Sequence, residues 1–87
     1  MIFQIYSQLA KVNNLRNDKL LKKFGTHLRE IRKNKGLSLE ALAYEADIEL
    51  SQVYRIEKGL INPTLSTLNA LAKGLGIRIS ELTMFEN

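Results

Sequence analysis

Every apolar stripe in this chain is short. Leu20, Leu21, Phe24, Leu28 and Ile31 recur at three- and four-residue intervals, then stop before Asn34-Lys35-Gly36. Leu42, Ala43 and Ala46 stop at Asp47, a third run from about Leu50 ends at Gly59, and a fourth ends at Gly76. The spacing is helical almost throughout. Helices of two or three turns do not hold in isolation in water, so each must bury its stripe against the others. Connected by turns of roughly 2–6 residues, they predict an all-α fold, a compact orthogonal bundle.

The boundaries carry their own signals. Gly36 supplies the positive φ of a helix C-terminus, where Lys33 and Lys35 suit the negative end of the dipole. Ser38 is a good N-cap for the second helix, with Glu40 in its first turn. Thr64 follows the chain's single proline, Pro63, and caps a fourth helix with the stripe Leu65, Leu68, Leu71, Ala72 and Leu75. Gly74 inside that helix costs roughly 1 kcal/mol against Ala. A fifth helix is expected from about Ile79 to Phe85. Ile77, Ile79, Leu82, Met84 and Phe85 exceed what one short helix needs for a core, which marks this end as a candidate self-association surface.

Residues 18–87 therefore read as one five-helix domain, and residues 1–17 as an N-terminal extension. Ile2, Ile5, Tyr6, Leu9 and Val12 also sit at helical spacing, but Asn13-Asn14 separates them from the bundle. They read as a partly ordered arm, a second candidate for dimerisation; an extra helix on the core or a frayed tail fits the same spacing.

Composition removes several classes of chemistry. At 87 residues the chain can bury only about 60–65% of its unfolded surface, enough for one modest core. It has no cysteine and one histidine, His27, so neither a thiolate nor an imidazole cluster is available. The carboxylates are scattered, and there is no phosphate loop or nucleophile–base arrangement. Neither an enzyme nor a cofactor or metal site is expected, and His27 reads as an ordinary residue of the first helix. No window approaches the roughly 18 apolar residues of a membrane span. The first residues lack the basic start and cleavage site of a signal peptide. The expectation is a soluble cytoplasmic protein that does not engage a membrane.

The net charge of +4 is unevenly spread. Residues 18–36 hold seven Lys/Arg against Asp18 and Glu30, whereas residues 37–57 hold Arg55 against five acids. A basic segment is what phosphate groups attract, and an acidic one beside it opposes them.

Leu39 to Lys58 has the spacing of a helix-turn-helix. Two short helices crossing steeply need a small residue at the contact, here Ala43, and a corner that tolerates left-handed backbone, here Asp47. With Leu39-Glu40-Ala41-Leu42-Ala43, Val53-Tyr54-Arg55-Ile56-Glu57-Lys58-Gly59, Asn62-Pro63-Thr64-Leu65 and Leu71-Ala72-Lys73-Gly74-Leu75-Gly76-Ile77 in order, the chain closely resembles the phage-repressor/Cro-like (xenobiotic-response-element, XRE) helix-turn-helix family over about residues 24–85. The resemblance implies a lambda-repressor-like five-helix domain whose third helix enters the DNA major groove. It also implies a transcriptional regulator that binds a palindromic operator as a homodimer.

Projection of the third helix at about 100° per residue agrees. Val53, Ile56 and Glu57 point inward; Ser51, Arg55 and Lys58 lie opposite, flanked by Gln52 and Tyr54, with Leu50 at the tip. Leu50, Ser51, Gln52, Tyr54 and Arg55 are the expected base contacts. Arg55 leads, because its planar fork matches O6 and N7 of guanine. Phosphates are expected at helix N-termini, from Ser38, Leu39, Asn62 and Thr64, with Lys58 between them. The resemblance further implies an internal ion pair between Arg32 and Glu57. This chain departs from the family at Leu39, often glutamine, at Asp47, often glycine, and at Glu49, often Ser or Thr. The acidic balance and the apolar arm motivate an alternative: a protein-interaction module on the same scaffold, such as an antitoxin with a toxin partner. The chain leaves no segment for an effector domain, so no small-molecule ligand is expected.

Overall fold

The structure, a computed structural model, describes residues 16–86. Five helices follow one another: α1 (Asp18–Asn34), α2 (Leu39–Ala46), α3 (Leu50–Glu57), α4 (Leu65–Leu75) and α5 (Ile79–Leu82). No strand occurs among the described residues. Of the expected N-terminal extension, residues 1–15, including Ile2 to Leu9, lie outside them.

The helix starts are built by side chains. Asn17 accepts from the Leu20 N–H at 3.0 Å, Ser38 from Ala41 at 3.0 Å and Thr64 from Thr67 at 3.1 Å. Each satisfies one of the N–H groups that a helix start leaves open. The ends repeat one device. After α1 the Leu37 N–H reaches back to the Arg32 carbonyl at 3.1 Å, and after α2 the Ile48 N–H reaches Ala43 at 3.0 Å. Leu60 to Arg55 and Ile77 to Ala72 do the same after α3 and α4. Each return passes through a left-handed residue, and at the corner between α2 and α3 that residue is Asp47, with φ 55°. Asp is one of the few side chains that adopt this backbone readily.

Leu28, Leu42, Val53, Ile56, Leu71 and Leu82 are fully buried and form the centre. Burying each is worth about 1.5–3 kcal/mol. α4 packs on α2, α1 and α2 both pack on α3, and α5 closes against α4. Two of these contacts depend on missing side chains. A Cβ on Gly25 would run into the backbone carbonyls of Ile56 and Glu57, so α1 lies directly on the end of α3. Gly74 faces Ala46, whose N would sit 2.9 Å from an added Cβ. The propensity cost of Gly74 is thus the condition for α4 to approach α2.

Two sequence expectations are corrected. Leu65 is 71% exposed and stands outside the α4 stripe. Periodicity gives the direction of a side chain, not whether another element lies opposite it. The fifth helix ends at Leu82, not near Phe85. The chain then turns so that Phe85 meets Phe24 at 5.9 Å and His27 at 5.4 Å between ring centroids. Leu82 is fully buried, and Ile77, Ile79 and Phe85 are half-buried against the core. Of the apolar residues at this end Met84 is exposed, at 72%, and Ile77, Ile79 and Phe85 each keep part of their surface open to solvent.

Candidate nucleic-acid interface

α3 is positioned from behind. Val53 and Ile56 enter the core, and Glu57 follows them inward on the same face. A carboxylate there needs a partner, and Arg32 of α1 supplies it. Arg32 Nε donates to Glu57 Oε2 at 2.6 Å and Nη2 donates to Oε1 at 3.0 Å, a two-toothed contact with matched geometry. The third arm of the guanidinium, Nη1, donates to the Leu37 carbonyl at 2.9 Å. One side chain thereby joins α1, the loop before α2, and α3. The hydrogen bond to Glu57 holds the Arg32 pKa above its ordinary value against the opposing effect of burial, with the charges of Glu57 and Glu40 adding to the rise.

The other face of α3 meets solvent. Ser51, Tyr54, Arg55 and Lys58 are exposed, Leu50 is exposed at the N-terminal tip, and Gln52 is half-buried at the side. Among the described residues, the Arg55 side chain makes no hydrogen bond or ion pair with the rest of the protein. Its fork is available to an external acceptor. Lys58 Nζ lies 5.6 Å from the centre of the Tyr54 ring, a cation–π contact that holds the ammonium at the end of this face.

The expected phosphate-binding residues fall into two groups. Leu39, at the start of α2, lines one cleft together with Tyr54 and Lys58. Ser38 immediately precedes it, its hydroxyl oxygen occupied by the Ala41 N–H. Asn62 and Thr64 are exposed at the start of α4 and do not line that cleft. Glu49 caps α3 without a side-chain hydrogen bond and is exposed.

Sequence reasoning missed two features. His27, expected to be an ordinary residue of the first helix, links α1 to α5: its Nε2 lies 3.2 Å from the Glu81 carbonyl and its ring packs against that of Phe85. Lys22, Thr26 and Arg29 form a polar stripe of α1 that lines the cleft shared with Tyr54 and Lys58. Their four- and three-residue spacing was visible, but such a stripe alone signals only a solvated helix face.

A bundle of this order, with a left-handed corner between two eight-residue helices and the second held by a buried ion pair, is a helix-turn-helix domain. Residues 28–82 match the sequence profile of a family described as helix-turn-helix, and the chain belongs to that family. It shares the fold of the restriction-modification controller protein C.AhdI from Aeromonas hydrophila, with a TM-score of 0.70 and 44% identity, over 71% of this chain and 94% of that one. It is 40% identical, over 63% of its length, to the HTH-type transcriptional regulator DdrOP3 of Deinococcus deserti. It is also 40% identical, over 67% of its length, to the immunity repressor protein of Bacillus phage phi105. The chain spans 43% and 40% of the lengths of those two relatives.

Proposed function

We propose that this chain is a sequence-specific, DNA-binding transcriptional regulator that acts as a homodimer on a palindromic operator. The observation that carries the reading is the exposed face of α3, with Arg55 unengaged and the helix locked from behind by Arg32 and Glu57. In this reading Arg55 reads guanine, a contact worth about 1–3 kcal/mol of discrimination. Ser51, Gln52 and Tyr54 contact neighbouring bases or sugar, and Leu50 packs on a thymine methyl. Ser38, Leu39, Lys58, Asn62 and Thr64 hold phosphates on either side, fixing the register of α3 in the groove. Kinship with transcriptional regulators and a controller protein supports the assignment.

Dimerisation follows from the energetics of a small module. One α3 reads a few base pairs, and two related by a dyad multiply affinity and select half-sites roughly 34 Å apart. The protein so described works in the cytoplasm, with no catalytic step and no cofactor. No helix among the described residues is long and apolar enough to cross a membrane.

The test is selection of bound duplexes from a random DNA pool. The expected result is enrichment of a dyad-symmetric sequence whose two arms are about one helical turn apart. Recovery of an unenriched pool after several rounds would refute sequence-specific binding.

A further inference from the structure

The cleft beside the recognition face has a second wall that the DNA contacts named above do not use. It encloses about 430 Å³ between α1, the start of α2 and the C-terminal half of α3. Lys22, Thr26 and Arg29 line it from α1, Leu39 from α2, and Tyr54 and Lys58 from α3. Arg32 and Glu57 form its floor as a closed pair. Because Glu57 is spent on Arg32, three cations remain with no acid facing them within the cleft. Among the described residues, Lys22, Arg29 and Lys58 make no ion pair. Glu40, in the first turn of α2, is close enough for its charge to act on Arg32, but it does not line the cleft.

The two walls approach each other through close backbone contact at two glycines. A Cβ on Gly59 would come within 2.8 Å of the Lys22 Cα, and one on Gly25 would meet the end of α3. The α1 stripe therefore lies directly beside the end of the recognition helix. Three like charges lining one cleft favour an anionic partner, and a nucleic-acid strand presents one negative charge after another along its backbone. The Thr26 hydroxyl, which donates to the Lys22 carbonyl at 3.0 Å, can turn to offer its proton to such a group. The open N–H groups at the start of α2 add to the same field.

We propose that this cleft seats a phosphate group of the bound DNA backbone, with Lys22, Thr26 and Arg29 as a clamp on the strand flanking the groove that α3 enters. The site rests on the proposed DNA-binding function and extends its footprint from α2 and α3 onto α1. Continuity selects DNA over a free anion: Tyr54 and Lys58 belong both to the cleft and to the face proposed to meet DNA.

The test is the double variant Lys22→Gln, Arg29→Gln, both positions being exposed or outside the core. Operator and unrelated duplexes are titrated from 50 to 200 mM salt. A lost phosphate contact makes the slope of log K against log salt shallower by about 0.9, so the wild-type advantage shrinks about threefold over that range for each protomer bound. The loss is expected equally on operator and unrelated DNA. The control Lys19→Gln, Lys73→Gln removes the same charge outside the cleft and is expected to leave the slope in place.

An unchanged slope in the Lys22/Arg29 variant, with wild-type operator binding intact, overturns the clamp while leaving the regulator reading standing. An equal slope change in the control overturns it too, because net charge would then be the cause. Titration of inorganic phosphate alone distinguishes the source. Saturable shifts of the Thr26 and Arg29 amides together with an unchanged DNA slope would make this a free-anion site and contradict the proposal. Absence of any DNA binding by the wild type would defeat both the clamp and the function it rests on.

Discussion

Replacing Glu57 with alanine is expected to cost about 3–5 kcal/mol of folding stability, the range for removing one partner of a buried ion pair. Arg32 is only 7% exposed and directs two of its nitrogens at the Glu57 carboxylate. Without that carboxylate the guanidinium keeps only the Leu37 carbonyl and remains buried with its charge unmatched. A domain of this size has a total stability of about 5–15 kcal/mol, so the loss consumes a large share of it. Urea unfolding reads the effect directly, as a fall in midpoint at unchanged slope. Arg32→Met with Glu57→Leu removes both charges and is expected to recover most of the stability, since the penalty lies in the orphaned charge and not in the absent bond. A loss below about 1 kcal/mol for Glu57→Ala would place the pair among ordinary surface contacts.

Arg55→Ala is expected to lower operator affinity by about 5- to 150-fold for each half-site engaged, the equivalent of about 1–3 kcal/mol. In a dimer both half-sites lose the contact. The fold should not respond, because Arg55 is exposed and its side chain supports nothing else in the described protein. Binding to unrelated DNA should fall far less, since a base-reading arginine contributes mainly to discrimination. Competition titrations with operator and unrelated duplexes separate the two effects. Equal losses on both would recast Arg55 as a phosphate contact, and no loss would remove it from the interface.

What the sequence discloses is local. Helix starts at Ser38 and Thr64 and the left-handed corner at Asp47 are set by a few adjacent atoms, and all three stand where their chemistry puts them. The inward turn of Val53, Ile56 and Glu57 follows from the angular period of one helix, and the buried residues of α3 agree. Arg32 and Glu57 lie 25 residues apart, and their pairing was reached only through family resemblance, since no local rule links them. What stays hidden is contact between elements. Nothing near Gly25 in sequence announces that α3 carbonyls lie against it. The return of Phe85 onto Phe24 and His27 depends on where α5 stops, and a continuous apolar pattern concealed that stop. The cleft wall of Lys22, Thr26 and Arg29 acquires meaning only once α3 is set beside it.

The central claim is that the outward face of α3 lies against base edges. The most direct measurement is a side-chain NMR map of the isotope-labelled protein with and without its selected duplex. The account predicts the largest changes at the Arg55 guanidinium and the Gln52 side-chain amide, with Asn69 on α4 unaffected. Changes centred on α4 and α5, with Gln52 and Arg55 unmoved, would contradict it.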